Sequence, residues 1–277
     1  MHNYKHLIEK ILDCGQPRTD RTGVGTLGLF DEQLKFDLQA GFPLVTGKFT
    51  SAKTVAEELK WMLSGSTAVA DLPNKIWDAW ELQDGTIGPT YGLQWRACPK
   101  LETNNPVMFP ERNFITTLNS EAVDQIDGLI NGLKSDPFSR RHILNSWNVG
   151  MVHMMALTPC HAMAQFYVDN SYILHCKMFQ RSADVFLGLP YNIASYAMLT
   201  HLLAYVTGLQ VGILTIDLGD VHLYSNHIEA ADLYLTRQLF DLPEFKCVVV
   251  DKTLRTGFDF ELNGYEHGGV IRAEVAV

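Results

Sequence analysis

The sequence predicts a single domain of the α/β (α+β) class. Its 277 residues fit one large domain, and 47% of them are hydrophobic, which is enough to form a sizeable core. Several segments alternate apolar and polar residues as strands do, and several longer ones place apolar residues at helical spacing. A chain that mixes strands with long helices in this way is expected to pack its helices against a sheet.

Four helices are predicted from apolar residues that recur three and four positions apart. The first ends at Gly15, and the second covers about 51–63. The third covers 120–133, with Ser120 as its N-cap. The fourth covers 193–206 and is apolar on most sides, so we expect it to lie buried at the centre of the domain.

Strands are predicted where apolar and polar residues alternate or where β-branched residues cluster. They cover 27–38, 44–46, 142–147, the apolar run 162–168, 172–179, 214–218 and 246–250. Residues from about 99 to 119 carry Pro, Asn and Glu with weak periodicity, which indicates a surface insertion, not a linker between domains. We therefore expect residues 1–277 to form one domain.

Composition and charge exclude some classes of function. The net charge of −9 argues against a general nucleic-acid-binding surface, which is usually basic, although a local arginine cluster would still suit a small anion. The sequence shows no signal-like N-terminus and no apolar run of membrane-spanning length. Five cysteines without a CxxC pair fit a reducing compartment. We expect a cytoplasmic protein that binds neither nucleic acid nor membrane.

Two apparent motifs do not fit their context. Segment 23–28, GVGTLG, matches the dinucleotide-binding pattern, but no strand is predicted before it and a strand, not a helix, follows. A hairpin, or a loop leading into a strand, is expected instead, with Arg21 free to reach an anion. His222 and His227 lie five residues apart on a strand-like segment, which is the wrong spacing for metal ligation from one side. No metal site is predicted.

Cys160 lies in segment 157–168, LTPCHAMAQFYV, between a proline and a histidine and before a strand-like run. A lone cysteine is more often buried and inert than reactive, because reactivity depends on the environment of the thiol. Its neighbours in sequence leave both interpretations open. Two polar-rich stretches, 179–196 and 218–227, lie in otherwise apolar sequence downstream and favour a functional site.

Other candidate residues also have a structural and a functional interpretation. Glu58 borders the apolar face of the second helix, where it is either partly exposed or directed into a cleft with a shifted pKa. The aromatic residues from Trp77 to Trp95 form either core or the wall of a site for a flat heterocycle. Arg140 and Arg141 are either solvated or paired for a phosphate.

An ordered set of motifs nevertheless carries a resemblance to a known family. In chain order these motifs are DRTGVGT, GFPLVT, EELKWML, IWDAW, YGLQWR, DPFSRRHI, TPCHAMAQFYV, FQRSADVFLGLPYNIASYAMLTH and GDVHLYSNH. The set resembles thymidylate synthase of the folate-dependent, cysteine-nucleophile type along the whole chain, apart from the insertion at about 99–119. The resemblance implies a single domain with a large mixed β-sheet backing helices, which dimerises through the sheet.

The resemblance also implies an activity. Cys160 would add as a thiolate to carbon 6 of the uracil of dUMP, so that carbon 5 attacks the methylene group of 5,10-methylenetetrahydrofolate. Loss of the carbon 5 proton, elimination of the folate and hydride transfer from it would give dTMP and dihydrofolate. Arg181 would lower the pKa of Cys160. The residues implied in catalysis are Cys160, Glu58, Tyr91, His161, Asn192 and Asp184.

Residues for dUMP follow from the same resemblance. They are Arg21, Arg140, Arg141, Arg181, Ser182, Asn192, His222 and Tyr224. Arg140 and Arg141 would come from the partner subunit, which implies a homodimer with a shared phosphate site. Asn192 would read the uracil edge, because a side-chain amide both donates and accepts, whereas an aspartate there would suit cytosine.

The folate side matches the family less well than the nucleotide side. The implied folate residues are Lys48, Trp77, Trp80, Leu157, Asp184, Gly188, Tyr191 and Ala276, which would close over both substrates and exclude water. Phe49 and Ser51 stand where a basic residue and often a histidine are usual. Tyr191 replaces a common phenylalanine and adds a hydroxyl group beside the folate.

These departures leave a second activity open. If water attacks the exocyclic methylene group in place of hydride, the products are 5-hydroxymethyl-dUMP and tetrahydrofolate, as in dUMP hydroxymethylases. Retention of Trp77 and Trp80 favours methylation. A non-catalytic nucleotide- or RNA-binding protein of the same fold is a third hypothesis, which the presence of Cys160, Glu58 and Asn192 disfavours.

Overall fold

The computed structural model describes residues 1–102, 117–249 and 251–276. These residues form one mixed α/β domain, as the sequence predicts. Most of the predicted insertion, residues 103–116, lies outside the described residues. The segments on either side of that gap are two antiparallel strands, β3 (Cys98–Glu102) and β4 (Thr117–Val123).

The described chain contains six α-helices. They are α1 (His2–Cys14), α2 (Ala52–Ser64), α3 (Tyr91–Ala97), α4 (Gln125–Ser135), α5 (Gly188–Thr207) and α6 (Ile228–Leu235). The Ser51 side chain caps α2 by accepting a hydrogen bond from the Thr54 N–H. Gly65 ends α2 in the left-handed region, with φ at 89°, a conformation that glycine adopts without steric cost.

Six strands form the main sheet. They are β1 (Gln16–Arg18), β2 (Thr26–Asp37), β5 (Ile143–Asn145), β6 (His161–Val168), β7 (Ile173–Asp184) and β8 (Gln210–Tyr224), in the spatial order β1-β2-β8-β7-β6-β5. β7 and β8 are parallel and connected through α5, whereas the other neighbours are antiparallel. A separate hairpin-like pair contains β9 (Glu244–Val249) and β10 (Phe258–Asn263).

The central helix α5 lies buried between the sheet and α2. Leu199 and Leu202 on α5 are fully buried, and α5 contacts β7, β8 and α2. On β6 the residues alternate, so that Ala164 and Phe166 face this core while Met163 and Tyr167 are exposed. One face of the sheet is therefore covered by helices, and the other face carries exposed apolar side chains.

Leu202→Ala is expected to lower the free energy of unfolding by about 2–5 kcal/mol, because the cavity left in a close-packed core is only partly filled by relaxation. Urea unfolding monitored by circular dichroism measures the change. Tyr205→Ala on the same helix is the matched control, since Tyr205 is 59% exposed. Equal losses in the two variants would contradict the central position of α5.

Most predicted elements are confirmed, with shifted ends. Helix 51–63 is α2, and 193–206 lies in α5, which starts earlier, at Gly188. Pro190 fits the first turn of α5 because the first N–H groups of a helix have no partner in the helix. Segment 23–28 leads from β1 into β2, so the hairpin prediction is confirmed, although β1 does precede it.

One predicted helix start and one predicted strand are wrong. The N-cap of α4 is Asp124, whose side chain accepts from the Asp127 N–H, because the residues from Ser120 to Val123 belong to β4, where Ala122 and Val123 pair with β3. Residues 44–46 form no strand. The Thr46 carbonyl instead accepts from the Gly268 N–H, so this segment is tied to the C-terminal region and not to a neighbouring strand.

Candidate active site

The predicted site residues gather at one edge of the sheet. Because β7 and β8 are parallel, their C-terminal ends lie side by side, and Asp184 is paired with His222 across them. Cys160 directly precedes β6, and the Arg181 N–H donates to its carbonyl over 2.8 Å. α5 begins four residues after β7 ends, so its N-terminal residues, which include Asn192, lie at the same edge.

Cys160 is held from two sides. Its backbone N–H donates to the hydroxyl of Tyr91 on α3 over 2.8 Å. Its sulfur lies 3.9 Å from Nη2 of Arg181, and the Arg181 guanidinium lies over the ring of Trp147, 5.6 Å from its centroid. Cys160 is half-buried, so a small molecule at the sheet edge has access to the thiol.

Burial raises the pKa of the Cys160 thiol above its usual value, and the nearby Arg181 charge opposes this shift without overcoming it. Arg181 is thus a neighbour, as predicted, but the expected net lowering of the thiol pKa is wrong for the ligand-free chain. The physical reason is that desolvation of a thiolate outweighs one cation whose nearest nitrogen is 3.9 Å from the sulfur.

Glu58 is buried within the site, not partly exposed on α2. Its Oε1 accepts a hydrogen bond of 2.8 Å from the indole Nε1–H of Trp77. Burial raises the pKa of this carboxyl to about 7, and the Trp77 hydrogen bond only partly offsets the shift. Glu58 can therefore accept or release a proton near neutral pH, which suits a general acid–base.

His161 is neutral in this environment, because full burial lowers its pKa to about 3. Its Nδ1 lies 2.9 Å from the Tyr196 hydroxyl, and its ring stacks on Tyr91 with centroids 4.2 Å apart. These contacts fix the imidazole ring behind Cys160. An imidazolium proton donor at this position is disfavoured, so any part of His161 in proton transfer goes through its neutral form.

Asn192 is oriented by a buried glutamine. Gln180 Nε2 donates to Asn192 Oδ1 over 3.0 Å and to the Ser182 carbonyl over 3.0 Å. The Asn192 amide nitrogen is thereby turned away from Gln180, and Oδ1 retains a second lone pair. Asn192 is half-buried and presents both a donor and an acceptor to a ligand.

Candidate phosphate and sugar residues line the same edge. Arg21 is exposed in the turn between β1 and β2 and is close enough for its charge to act on the Tyr224 hydroxyl. Tyr224 pairs with Thr26 across β8 and β2, and its ring meets that of His222 edge-on at 5.1 Å. His222 Nδ1 is fixed by the Asp220 carboxylate at 2.8 Å, which leaves Nε2 for a ligand.

Arg140 and Arg141 do not join this site within one chain. Both are exposed before β5, and the Arg140 carbonyl accepts from Gln165 Nε2, near the far end of β6. Cys160 lies before the near end of β6, so the strand rise separates it from Gln165 by roughly 15 Å. The two arginines are therefore too far away to share a small ligand with Cys160 of the same chain.

Folate candidates form an aromatic wall next to Glu58. The rings of Trp77 and Trp80 meet edge-on with centroids 5.6 Å apart, and Tyr91 meets Trp77 at 6.0 Å. The Tyr191 hydroxyl lies close to the Ser51 backbone, where α5 approaches the start of α2. Leu157, Tyr191 and Gly188 are half-buried, so their surfaces remain available to a flat ring.

Two charged folate candidates also lie together. Lys48 is 4% exposed, with its ammonium group 4.5 Å from the centroid of the Phe186 ring. Burial lowers the pKa of Lys48 to about 8, although Asp184 opposes this shift. Asp184 Oδ1 accepts from the N–H groups of Phe186 and Leu187, and Oδ2 has no partner within the described chain. The free oxygen suits an amino group of a pteridine ring.

The C-terminal segment, which includes Ala276, docks against this region. The fully buried His227 places Nε2 2.7 Å from the carbonyl of Glu274. Its Nδ1 is 3.9 Å from Asp184 Oδ1 and has no hydrogen-bond partner. His227 thus connects the C-terminal segment to the side of the cleft that holds Asp184.

A family model described as "Thymidylate synthase" matches residues 2–277 of the chain. The chain belongs to the thymidylate synthase family. Membership fits the mixed sheet and implies an enzyme of one-carbon transfer, with a pyrimidine nucleotide and a reduced folate as the expected substrates. Four residues from the thymidylate synthase motifs lie together at one edge of the sheet. They are Cys160, Arg181, Asn192 and His222.

Several residues of this thymidylate synthase family site were missed from the sequence. Gln180 orients Asn192, and Tyr196 orients His161. Trp147 and Thr158 both contact Arg181. Gln180 could have been found from the sequence, because it is a polar residue at an inward position of a strand. The sequence gives no such signal for Tyr196, Trp147 and Thr158, because only the folded chain brings them to their partners.

Across the described ranges no group of three or more His, Cys, Asp or Glu side chains is placed to hold a metal ion. No helix in the same part of the chain combines the length and apolarity needed to cross a bilayer.

Proposed function

We propose that the protein catalyses the reductive methylation of dUMP to dTMP with 5,10-methylenetetrahydrofolate, which yields dihydrofolate. The observation that carries this proposal is the placement of a half-buried thiol beside an arginine, with a buried carboxyl of pKa about 7 across an aromatic wall. A thiol that adds to carbon 6 of a pyrimidine and a carboxyl that manages protons at the ring are the two groups this reaction needs.

The nucleotide is bound by complementary charge and hydrogen bonding. The Arg181 guanidinium keeps Nη1 without a partner within the described chain, so it can donate to a phosphate. Arg21 and Ser182 lie at the same edge, and His222 and Tyr224 bond the sugar hydroxyl. Asn192 donates to a uracil carbonyl and accepts from the ring N–H.

The chain acts as a homodimer in this proposal. Arg140 and Arg141 lie too far from their own Cys160 to bind the same phosphate, so they serve the partner's site. The uncovered sheet face supports association, because Ile143, Met163 and Phe179 on adjacent strands are each more than 40% exposed. Sedimentation should give twice the chain mass, and mixing inactive Arg140→Ala with inactive Cys160→Ala chains should restore part of the activity.

The folate residues act by binding and by excluding water. Trp77, Trp80, Leu157 and Tyr191 offer flat apolar surface, and Asp184 offers a free oxygen to the pteridine. The docked C-terminal segment near Ala276 would cover the complex. When bound, the reduced folate supplies both the one-carbon unit and the hydride.

A second candidate is dUMP hydroxymethylase, in which water replaces hydride. The observation that favours it is the hydroxyl of Tyr191, which is polar, close to Ser51 and near the Glu58 charge. Burial of Trp77 and the bond between its indole and Glu58 favour methylation, because they keep one wall of the cleft dry.

One experiment separates the hypotheses. With dUMP tritiated at carbon 5 and methylenetetrahydrofolate, we expect tritium release together with dihydrofolate, followed by its near-ultraviolet absorbance, and dTMP identified by mass. Release without dihydrofolate, with a product one oxygen heavier than dTMP, would establish the hydroxymethylase. No release from the folded dimer would exclude both activities and favour a non-catalytic protein.

Asn192→Asp is expected to lower kcat/KM for dUMP by roughly 10²-fold and to raise that for dCMP, because a carboxylate accepts from the cytosine amino group but cannot donate to a uracil carbonyl. Tritium release from each labelled nucleotide measures the ratio. Asn131→Asp is the control, because it makes the same chemical change at an exposed position on α4, away from the site. It should leave the ratio of activity on dUMP to activity on dCMP unaltered. Unchanged uracil selectivity in Asn192→Asp would contradict the assignment.

A further inference from the structure

The arginine beside Cys160 is held by the segment that precedes the cysteine. Arg181 Nε donates to the Pro159 carbonyl over 2.9 Å. Arg181 Nη2 donates to the Thr158 carbonyl over 2.8 Å and to the Thr158 hydroxyl over 2.7 Å. The same Nη2 is 3.9 Å from Cys160 Sγ, at the outer limit for a hydrogen bond to sulfur.

The hydrogens of Nη2 decide what Cys160 receives from Arg181. A guanidinium Nη2 carries two hydrogens, and here it faces three acceptors, two oxygens at 2.7 and 2.8 Å and the sulfur at 3.9 Å. The sulfur is more than 1 Å farther away than either oxygen. The hydrogen bond from Arg181 to the sulfur is therefore long and weak, because the two oxygens compete for the same hydrogens.

We propose that Thr158 is a positioning residue that controls the reactivity of Cys160, because its hydroxyl competes with the sulfur for an Nη2 hydrogen of Arg181. This inference rests on the proposed role of Cys160 as the nucleophile. A hydrogen bond to a charged group stabilises the charged form, so weakening it favours the protonated thiol. The direction agrees with the raised pKa of Cys160 in the ligand-free chain.

Removal of the hydroxyl leaves the arginine in place. The Pro159 carbonyl, the Thr158 carbonyl and the ring of Trp147 still hold the guanidinium in Thr158→Val. The Nη2 hydrogens then face one oxygen and the sulfur, so the existing bond to the sulfur can shorten with a small movement of the guanidinium. Valine has nearly the shape of threonine, so the change tests the hydroxyl and not the volume of the side chain.

The test is the pH dependence of iodoacetamide alkylation at Cys160, with the modified peptide identified by mass, in the full chain without substrates. We expect Thr158→Val to lower the thiol pKa by about 1 unit, so that alkylation at pH 7 is about tenfold faster than in the wild type. Thr158→Ser should retain the wild-type profile because it keeps the acceptor. Thr158→Ala removes the hydroxyl with less bulk and should behave as the valine variant does.

A double-variant cycle shows whether Thr158 acts through Arg181. In an Arg181→Ala background, Thr158→Val should leave the thiol pKa unchanged. An equal shift with and without Arg181, or no downward shift in either hydroxyl-free variant, overturns the proposal. The assay needs neither nucleotide nor folate. A lowered thiol pKa in Thr158→Val, with no tritium release by the wild type, would therefore support the positioning role and reject the proposed function. Tritium release by the wild type, with an unchanged thiol pKa in Thr158→Val, would support the proposed function and reject the positioning role.

Discussion

Cys160→Ser is expected to lower turnover by at least about 10³-fold while nucleotide binding stays intact. A serine hydroxyl is a far weaker nucleophile than a thiolate, and loss of a covalent nucleophile typically has an effect of this size or larger. Nucleotide affinity should persist because the candidate phosphate and base residues, Arg181 and Asn192, do not depend on the sulfur for their contacts. Tritium release measures turnover, and calorimetry with dUMP measures binding.

Cys14→Ser is the control for this change. Cys14 is exposed at the end of α1, and the same sulfur-to-oxygen substitution there should leave turnover unaltered. Residual turnover in Cys160→Ser within tenfold of the wild type would reject Cys160 as the nucleophile. Loss of binding together with turnover would instead show that the sulfur supports the shape of the nucleotide site.

Glu58→Gln is expected to lower turnover by about 10²-fold or more, because general acid–base groups contribute on this scale. Glutamine keeps an oxygen that accepts from the Trp77 indole, so the aromatic wall should persist. The pH profile of kcat/KM in the wild type should show an ionisation near pH 7, the value to which burial raises the Glu58 pKa, and this ionisation should be absent in the variant. A profile that is identical in both proteins would assign the ionisation to another group.

The same carboxyl has a consequence for stability. Its folded-state pKa of about 7 lies above the ordinary value of 4.5, so the folded state binds a proton more tightly than the unfolded state. The contribution is fully present below pH 4.5 and is lost as the pH rises to about 7, with a total of roughly 3 kcal/mol. Relative to Glu58→Gln, the wild type should therefore lose stability to urea between pH 4.5 and 8, and parallel curves would contradict the buried, ionising carboxyl.

Several features were readable from the sequence because they depend on local pattern. The apolar character of 193–206 predicted a buried central helix, and α5 is that helix. The apolar run that follows His161 predicted a strand, and β6 is that strand. The order of the motifs, from DRTGVGT to GDVHLYSNH, identified the family, because no single motif would have been specific enough.

Other features depended on residues that are far apart in sequence. The strand pairing of β4 displaced the predicted helix start from Ser120 to Asp124, since a partner strand competes with helix formation. The side chain of Glu58 proved buried because Trp77, 19 residues later, covers it. Local periodicity cannot report such contacts, as it describes only one element at a time.

By itself, the sequence determined the fold class, the family and the identity of the chemical groups at the site. Those properties follow from residue type and order. Only the tertiary structure decided the ionisation of Cys160, Glu58 and His161, because a pKa depends on burial and on neighbours from other elements. It also separated Arg140 from Cys160 along β6 and placed the Thr158 hydroxyl against the arginine that lies beside the thiol, and these are distances that no linear pattern contains.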